Sequence, residues 1–301
     1  MNLLQQPIIL LLLFILGIVA QFFSFIPKNL FRYINKFILF VPLPAIVLSK
    51  IPFLEINHEV LFPIASAWII FFVSILYAFI ICRIFDYDKK TMACIILCCG
   101  LGNTSFVGYP FLQHFYGEES LRYAIFVDQP GSFLILSTLG VFVAAYFSTG
   151  SFDVKKIALK LIQFPPFIVF IISLFIPKTL IEGNLFNILE TIGKTMVPLA
   201  LLSLGLQFKL DLKEIEWTKF FAGIFYKLVL APFIIYVLFY FILHKQSELY
   251  MISILECAMP PMITSSILAI EYNLDAKLAN TFPTLGILFS IITLMIWKMI
   301  L

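Results

Sequence analysis

Among the ionisable side chains inside otherwise apolar runs, Asp128, Lys227 and Glu256 stand out, whereas Glu190 and Lys194 in the run 188–208 have the i, i+4 spacing of a structural helical pair. A charge at membrane depth is costly and marks an ion or proton pathway. Asp128 precedes Gln129-Pro130-Gly131, which weakens its helix, so it is the first choice for a proton-coupling group, with Glu256 beside it. Lys227 lies roughly 11 Å into its run at helical rise. It pairs with one of the carboxylates or attracts an anion, the alternative being a stem that snorkels to the headgroups. Two polar clusters follow chain breaks. Asn103, Thr104 and Ser105 come after Gly100-Leu101-Gly102, and Thr264, Ser265 and Ser266 come after Pro260-Pro261. A helical proline lacks its N–H and displaces the preceding turn. The half-helix that follows such a break presents free N–H groups and partial positive charge, which suit a carboxylate. The chemistry read from these residues is therefore binding of a small organic anion. Asn280 and Thr281 are secondary candidates.

The elements that position these groups are transmembrane helices. Apolar residues make up 62 % of the 301 and charged residues 12 %, against about 25 % charged in soluble proteins. Ten runs are long enough for about 30 Å of hydrocarbon: 7–25, 31–48, 60–82, 92–115, 121–147, 157–176, 188–208, 220–243, 250–272 and 278–301. The fold class is an all-α polytopic membrane protein. The first run lacks a basic leader and a small-residue cleavage site, so it reads as a span and not as a cleaved signal. Most of the 20 Lys and Arg fall in connectors after odd-numbered runs, from Lys28, Arg32 and Lys36 through Arg83, Lys89, Lys90, Lys155, Lys156 and Lys160 to Lys209, Lys213, Lys219 and Lys277. By the positive-inside rule those connectors are cytoplasmic and both termini lie outside. Trp217 and Trp297 fall near opposite interfaces, as anchoring aromatics do.

The halves echo each other. Val41-Pro42-Leu43-Pro44 lines up with Val197-Pro198-Leu199, and a second register sets Asn103-Thr104-Ser105 over Met259-Pro260-Pro261. Five runs per half is an odd number, so the halves enter the membrane from opposite sides: 1–148 as the first repeat, 149–156 as a cytoplasmic linker and 157–301 as the second. Matched broken helices in inverted repeats point to a secondary transporter's midplane site. Both breaks lie roughly 15 Å deep at helical rise. The segments Gly102-Asn103-Thr104-Ser105-Phe106-Val107-Gly108-Tyr109-Pro110, Asp128-Gln129-Pro130-Gly131-Ser132-Phe133 and Glu256-Cys257-Ala258-Met259-Pro260-Pro261 resemble the auxin efflux carrier family along the whole chain. The resemblance implies ten helices in a five-plus-five inverted repeat with broken, crossing helices 4 and 9. It further implies a transport domain of spans 3–5 and 8–10 moving against a scaffold of spans 1, 2, 6 and 7. Substrate would sit at the crossover, on Asn103, Thr104, Ser105, Pro260, Pro261, Thr264 and Ser265. Plant members carry a long connector between spans 5 and 6. The short one here resembles the prokaryotic branch, whose carriers are assigned to malate or malonate.

The expected activity is proton-coupled alternating-access transport of a dicarboxylate or auxin-like carboxylate, with no enzymatic chemistry and no cofactor. A sodium-coupled symporter of bile-acid-carrier type shares the architecture and is the nearest alternative. A channel is remoter, because the polar groups cluster at two breaks and do not line a pore. Cys94 and Cys98 are one helical turn apart, but no His or carboxylate joins them, so they read as packing and no metal is expected. His58, His114 and His244 are read as lying in separate loops. A net charge of +3 gives no nucleic-acid footprint. Partners are the anion and lipid, with a homodimer left open, and the expected location is the plasma or inner membrane.

Overall fold

Lipid offers backbone polar groups no partner, so a chain this apolar must satisfy them within helices. The computed structural model describes residues 7–54, 57–148, 164–208 and 215–301. Among these the chain is all-helical, without a strand and with one isolated backbone bridge. Six helical stretches are long and apolar enough to cross a membrane: Leu30–Phe53, His58–Ile84, Glu118–Ser148, Asn184–Gln207, Trp217–Ile242 and Ala276–Ile300. They match the second, third, fifth, seventh, eighth and tenth apolar runs. The fourth run is split into Lys89–Gly100 and Tyr109–Tyr116, joined through a π-helical turn at Thr104–Gly108. The ninth is split into Glu248–Cys257 and Ile263–Glu271. Pieces of 12, 8, 10 and 9 residues are each too short to span. The first run contributes Pro7–Ala20 and the sixth Pro165–Ser173. The connector 149–156, the start of the sixth run, Lys209 and Lys213 lie outside the described residues.

The chain divides into two compact units. One comprises Met1–Asn57, Ser105–Ile125 and Lys160–Lys209. In it the helix Pro7–Ala20 packs against Met196–Gln207 at a glycine pair: a Cβ on Gly17 would enter the backbone at Leu202 and Gly205, and one on Gly205 the backbone at Phe14 and Gly17. Small residues at such contacts let helices approach closely in lipid. Gln21 closes the contact, its Nε2 donating to the carbonyls of Gly205 (2.7 Å) and Phe208 (2.9 Å) at a helix end that has lost its own donors. Two long stretches here are interrupted at matching places. Leu30–Phe40 breaks at Val41 before Pro42, and Asn184–Gly193 breaks at Lys194-Thr195 before Pro198. Lys194 pairs with Glu190 at 3.0 Å, one helical turn away, and reaches Glu118 at 3.8 Å.

The other unit comprises His58–Thr104, Phe126–Leu159 and Leu210–Leu301. Asp88 caps the helix Lys89–Gly100, accepting from the Thr91 N–H at 2.7 Å, and this bond holds its carboxyl below the ordinary carboxylate range. The Thr91 hydroxyl donates to Asp275 at 2.9 Å; Asp275 caps the last helix and lies 3.5 Å from Lys219, which also holds Glu216 at 2.7 Å. Side chains following the third, seventh and ninth runs thus bond one another. Lys245, after the eighth run, pairs with Glu59, after the second, at 3.1 Å.

Two expectations are corrected. His114 lies in the last turn of the helix Tyr109–Tyr116, not in a loop. Trp297 is buried and is not an interface anchor: Pro232 deprives the Leu228 carbonyl of its helical N–H donor, and the Trp297 indole supplies one at 3.0 Å. Trp217 is exposed, as an anchor requires.

The glycine contact sets a test. Gly205→Leu forces a side chain into the backbone of the first helix, an overpacking that costs about 1–3 kcal/mol. Thermal unfolding in detergent should shift down by several degrees, on the order of 2–4 °C per kcal/mol at this size, and an unchanged midpoint would contradict the close approach.

Candidate functional site

The site is built where two helices fail. Leu101–Asn103 and Pro260–Met262 leave the helical path and pair antiparallel: Asn103 N–H donates to the Pro260 carbonyl at 2.8 Å, and Met262 N–H to the Leu101 carbonyl at 3.2 Å, with Gly102 opposite Pro261. Each break satisfies backbone groups freed in the other. That is the condition for unwound chain at membrane depth.

Prolines also decide where the side-chain donors go. An N–H at position 261 would bond the Cys257 carbonyl, but Pro261 has none. Lys227 fills the vacancy, its Nζ donating to the Cys257 carbonyl at 3.0 Å. The residue is 0 % exposed, so the snorkelling alternative is overturned. Gly102 makes room for the ammonium, since a Cβ there would stand 3.0 Å from Nζ and 3.2 Å from the Glu256 carbonyl. Lys227 itself lies in a π-helical turn, Tyr226–Leu230, just ahead of Ala231-Pro232. The expected weakness at Pro130 takes the same form. Asp128–Phe133 is a π-helical turn in which the Leu134 N–H reaches back to Gln129, and the Trp68 indole donates to the Pro130 carbonyl at 3.0 Å. π-turns of this kind cluster at functional sites.

The two carboxylates differ in their surroundings. Asp128 is buried and receives two donors, the Thr104 hydroxyl on Oδ1 at 2.5 Å and Gln129 Nε2 on Oδ2 at 2.7 Å. Glu256 is 1 % exposed, and neither of its oxygens has a hydrogen-bond partner among the described residues. Its charged neighbours are Asp128 and Lys227. The Asn103 side-chain amide is likewise buried with its Nδ2 unpartnered among the described residues. A buried polar group without a partner costs a few kcal/mol, and among the described residues this site leaves the Asn103 amide nitrogen, both Glu256 oxygens and Gln129 Oε1 unpartnered.

The remaining candidates are less concentrated. Pro260 and Pro261 are buried in the pairing. Ser265 is buried, but its hydroxyl donates to the Met262 carbonyl at 2.7 Å. Thr264 is exposed. Ser105 is half-buried in the π-helical turn and falls in the first unit. Asn280 and Thr281 bond back to carbonyls of their own helix. The helix Ile263–Glu271 starts at Met262 with no side-chain cap, leaving its first N–H groups to other acceptors. Sequence reasoning missed Gln129 as a partner of Asp128, although an amide inside an apolar run was the available signal. It also missed the Lys227–Cys257 bond, whose two halves lie on separate runs. Cys98 packs against Cys94 (3.9 Å) and the Ser266 hydroxyl (3.5 Å), all buried.

Gly102 supplies the test of this geometry. Gly102→Val would push into the Lys227 ammonium and the Glu256 backbone. Unfolding should be easier by about 1–3 kcal/mol, read as a lowered midpoint in thermal unfolding followed by fluorescence. Full stability would mean that the ammonium is not held there.

Comparison with known proteins gives the chain's relationships. Residues 3–149 and 151–298 match the family model described as membrane transport protein. An uncharacterized transporter from Methanocaldococcus jannaschii is 27 % identical over 305 residues, covering 98 % of this chain and 97 % of its own. An uncharacterized transporter from Methanothermobacter thermautotrophicus is 24 % identical over 297 residues, covering 97 % and 96 %.

Proposed function

Since the chain belongs to the membrane transport protein family, that of the auxin efflux carriers, and is a multi-pass membrane transporter, we propose that it carries a small organic anion by proton-coupled alternating access. The observation that carries this reading is the pairing of the two chain breaks beside a buried ammonium. Lys227, the unpartnered Asn103 amide and the uncapped start of Ile263–Glu271 offer positive potential and donors to a carboxylate. A short dicarboxylate such as malate or malonate fits that set. In this proposal Asn103, Thr104, Thr264 and Ser265 face the substrate's path and Pro260-Pro261 keep it unwound.

Coupling falls to the carboxylates. Asp128 has a donor on each oxygen, from Thr104 and from Gln129. Glu256 has no donor, and a lone buried carboxylate is stable only when it carries a proton or meets a cation. A proton taken up at Glu256, and not at Asp128 as the sequence alone suggests, is therefore the event that the pH gradient drives, with Asp128 as its charged neighbour. Sodium at the same carboxylate and unwound carbonyls is the competing reading.

Ten spans in a five-plus-five inverted repeat, with both termini outside, complete the proposal. Three observations support it. The breaks ahead of Pro42 and Pro198, and those at residues 101–103 and 260–262, fall within a few residues of the positions that the repeat pairs. Connectors after odd-numbered runs bond to one another through Thr91, Asp275, Lys219 and Glu216, and connectors after even-numbered runs do so through Lys245–Glu59. Alternating access also needs a chain that divides into separately compact parts, as this one does.

Uptake of labelled malate and malonate into proteoliposomes, with an imposed pH gradient and with or without sodium, tests the reading. Saturable uptake should follow the pH gradient. Asp128→Asn should abolish it, and Glu256→Gln should lose gradient-driven accumulation while keeping malonate exchange. Sodium dependence would overturn the proton assignment, and absence of uptake of either acid would overturn the dicarboxylate.

A further inference from the structure

A second polar site lies wholly within the first unit. Its cavity of about 280 Å³ is lined among others by Lys50, Phe53, Glu119, Arg122, Glu182 and Phe186. These residues come from the stretches after the second, fourth and sixth apolar runs, which the charge bias assigns to the outer side. Lys50 is 7 % exposed and its ammonium donates to Glu119 Oε1 at 2.9 Å; Arg122 Nη1 stands 3.8 Å from Glu119 Oε2. Two cations thus converge on one carboxylate, whose side chain is 67 % exposed, with the exposed Glu182 also at the cavity lining. Arg122 also keeps its Nε buried and unpartnered among the described residues. A guanidinium binds a planar carboxylate through two parallel N–H donors, so Arg122 has an unused donor on a fork that Glu119 engages only at long range. Phe53 and Phe186 meet edge to face at 5.2 Å and give the cavity an apolar wall.

We propose that this cavity is an anion site separate from the crossover, which takes a small carboxylate with a flat apolar body, the ligand carboxylate displacing Glu119 from Lys50 and Arg122 while its body lies on Phe53 and Phe186. Glu119 holds the seat in the empty state, which spares the buried Lys50 an uncompensated charge. The volume sits at the small end of ligand pockets, room for one ring and a carboxylate arm. A phospholipid phosphate presents the same oxygens, and the test separates the two sources. The proposal is independent of what the crossover carries.

The probe is phenylacetate, with phenylacetamide as the uncharged control, followed by saturation-transfer NMR on the full chain in phosphatidylcholine nanodiscs. The acid should bind and the amide should not. Arg122→Gln should weaken binding by at least about tenfold. Glu119→Gln should tighten it, because the competing carboxylate is gone, an effect opposite to that of breaking a merely structural ion pair. Asn103→Ala at the crossover should leave phenylacetate binding here unchanged, whatever it does to uptake. Should Glu119→Gln not fold, the rim variant Arg122→Gln decides alone. Equal binding of the amide, or an affinity unaffected by Arg122→Gln, would overturn the site. Phenylacetate binding that is present in lipid-free detergent and lost in phosphatidylcholine nanodiscs would assign the seat to lipid phosphate and overturn the proposal.

Discussion

Everything at the candidate site follows from one constraint: backbone that leaves the helix inside an apolar chain must find its hydrogen bonds elsewhere. The pairing of Gly102 with Pro261 answers it for the two breaks. Where proline removes a donor, a side chain from another helix replaces it: Lys227 at the Cys257 carbonyl and Trp297 at the Leu228 carbonyl. The Trp68 indole donates to the Pro130 carbonyl within the wide turn. The ammonium is thus fixed by a structural duty, and its charge comes with it. A carrier gains from this a cation that is positioned before substrate arrives, with no ordering cost at binding.

The same constraint explains the contrast between the carboxylates. Asp128 accepts from Thr104, the residue that follows the Asn103 pairing, and from its neighbour Gln129. Its geometry is therefore tied to the first break. Glu256 ends the helical part of the second break, and its oxygens meet no donor among the described residues. Two carboxylates and one ammonium share a buried neighbourhood. The arrangement balances when one proton or one cation is added, and a substrate anion changes that balance. In the proposed mechanism, coupling between ion and substrate is an electrostatic property of these three side chains, without any need for a relay across the protein.

How much of this was legible beforehand depends on whether the signal was local. Proline and glycine positions are local, so the breaks at 101–103 and 260–262 and the weak turn after Asp128 could be read directly. The fourth and ninth runs read as full-length spans in hydropathy, yet each is two short helices, because hydropathy does not register a missing N–H. Lys227 could not be assigned between snorkelling and burial, since the carbonyl that holds it belongs to Cys257, thirty residues along the chain. Trp297 looked like an interface anchor for the same reason: its partner is created by Pro232 on another helix. The Lys50 cavity left no pattern at all, because Lys50, Glu119 and Arg122 are ordinary connector charges until folding brings them together.

The central claim is that the paired breaks hold Lys227 as the seat of an anion. Exchange of labelled malonate against internal malonate in proteoliposomes, compared between the native chain and Lys227→Gln, tests it most directly. Glutamine keeps an N–H donor and removes the charge, and the unfolding midpoint shows whether the variant stays folded. The account predicts a folded variant whose exchange falls by at least about tenfold, the worth of one charged hydrogen bond. Exchange at the native rate in a folded Lys227→Gln variant would contradict it and leave the lysine a purely structural donor.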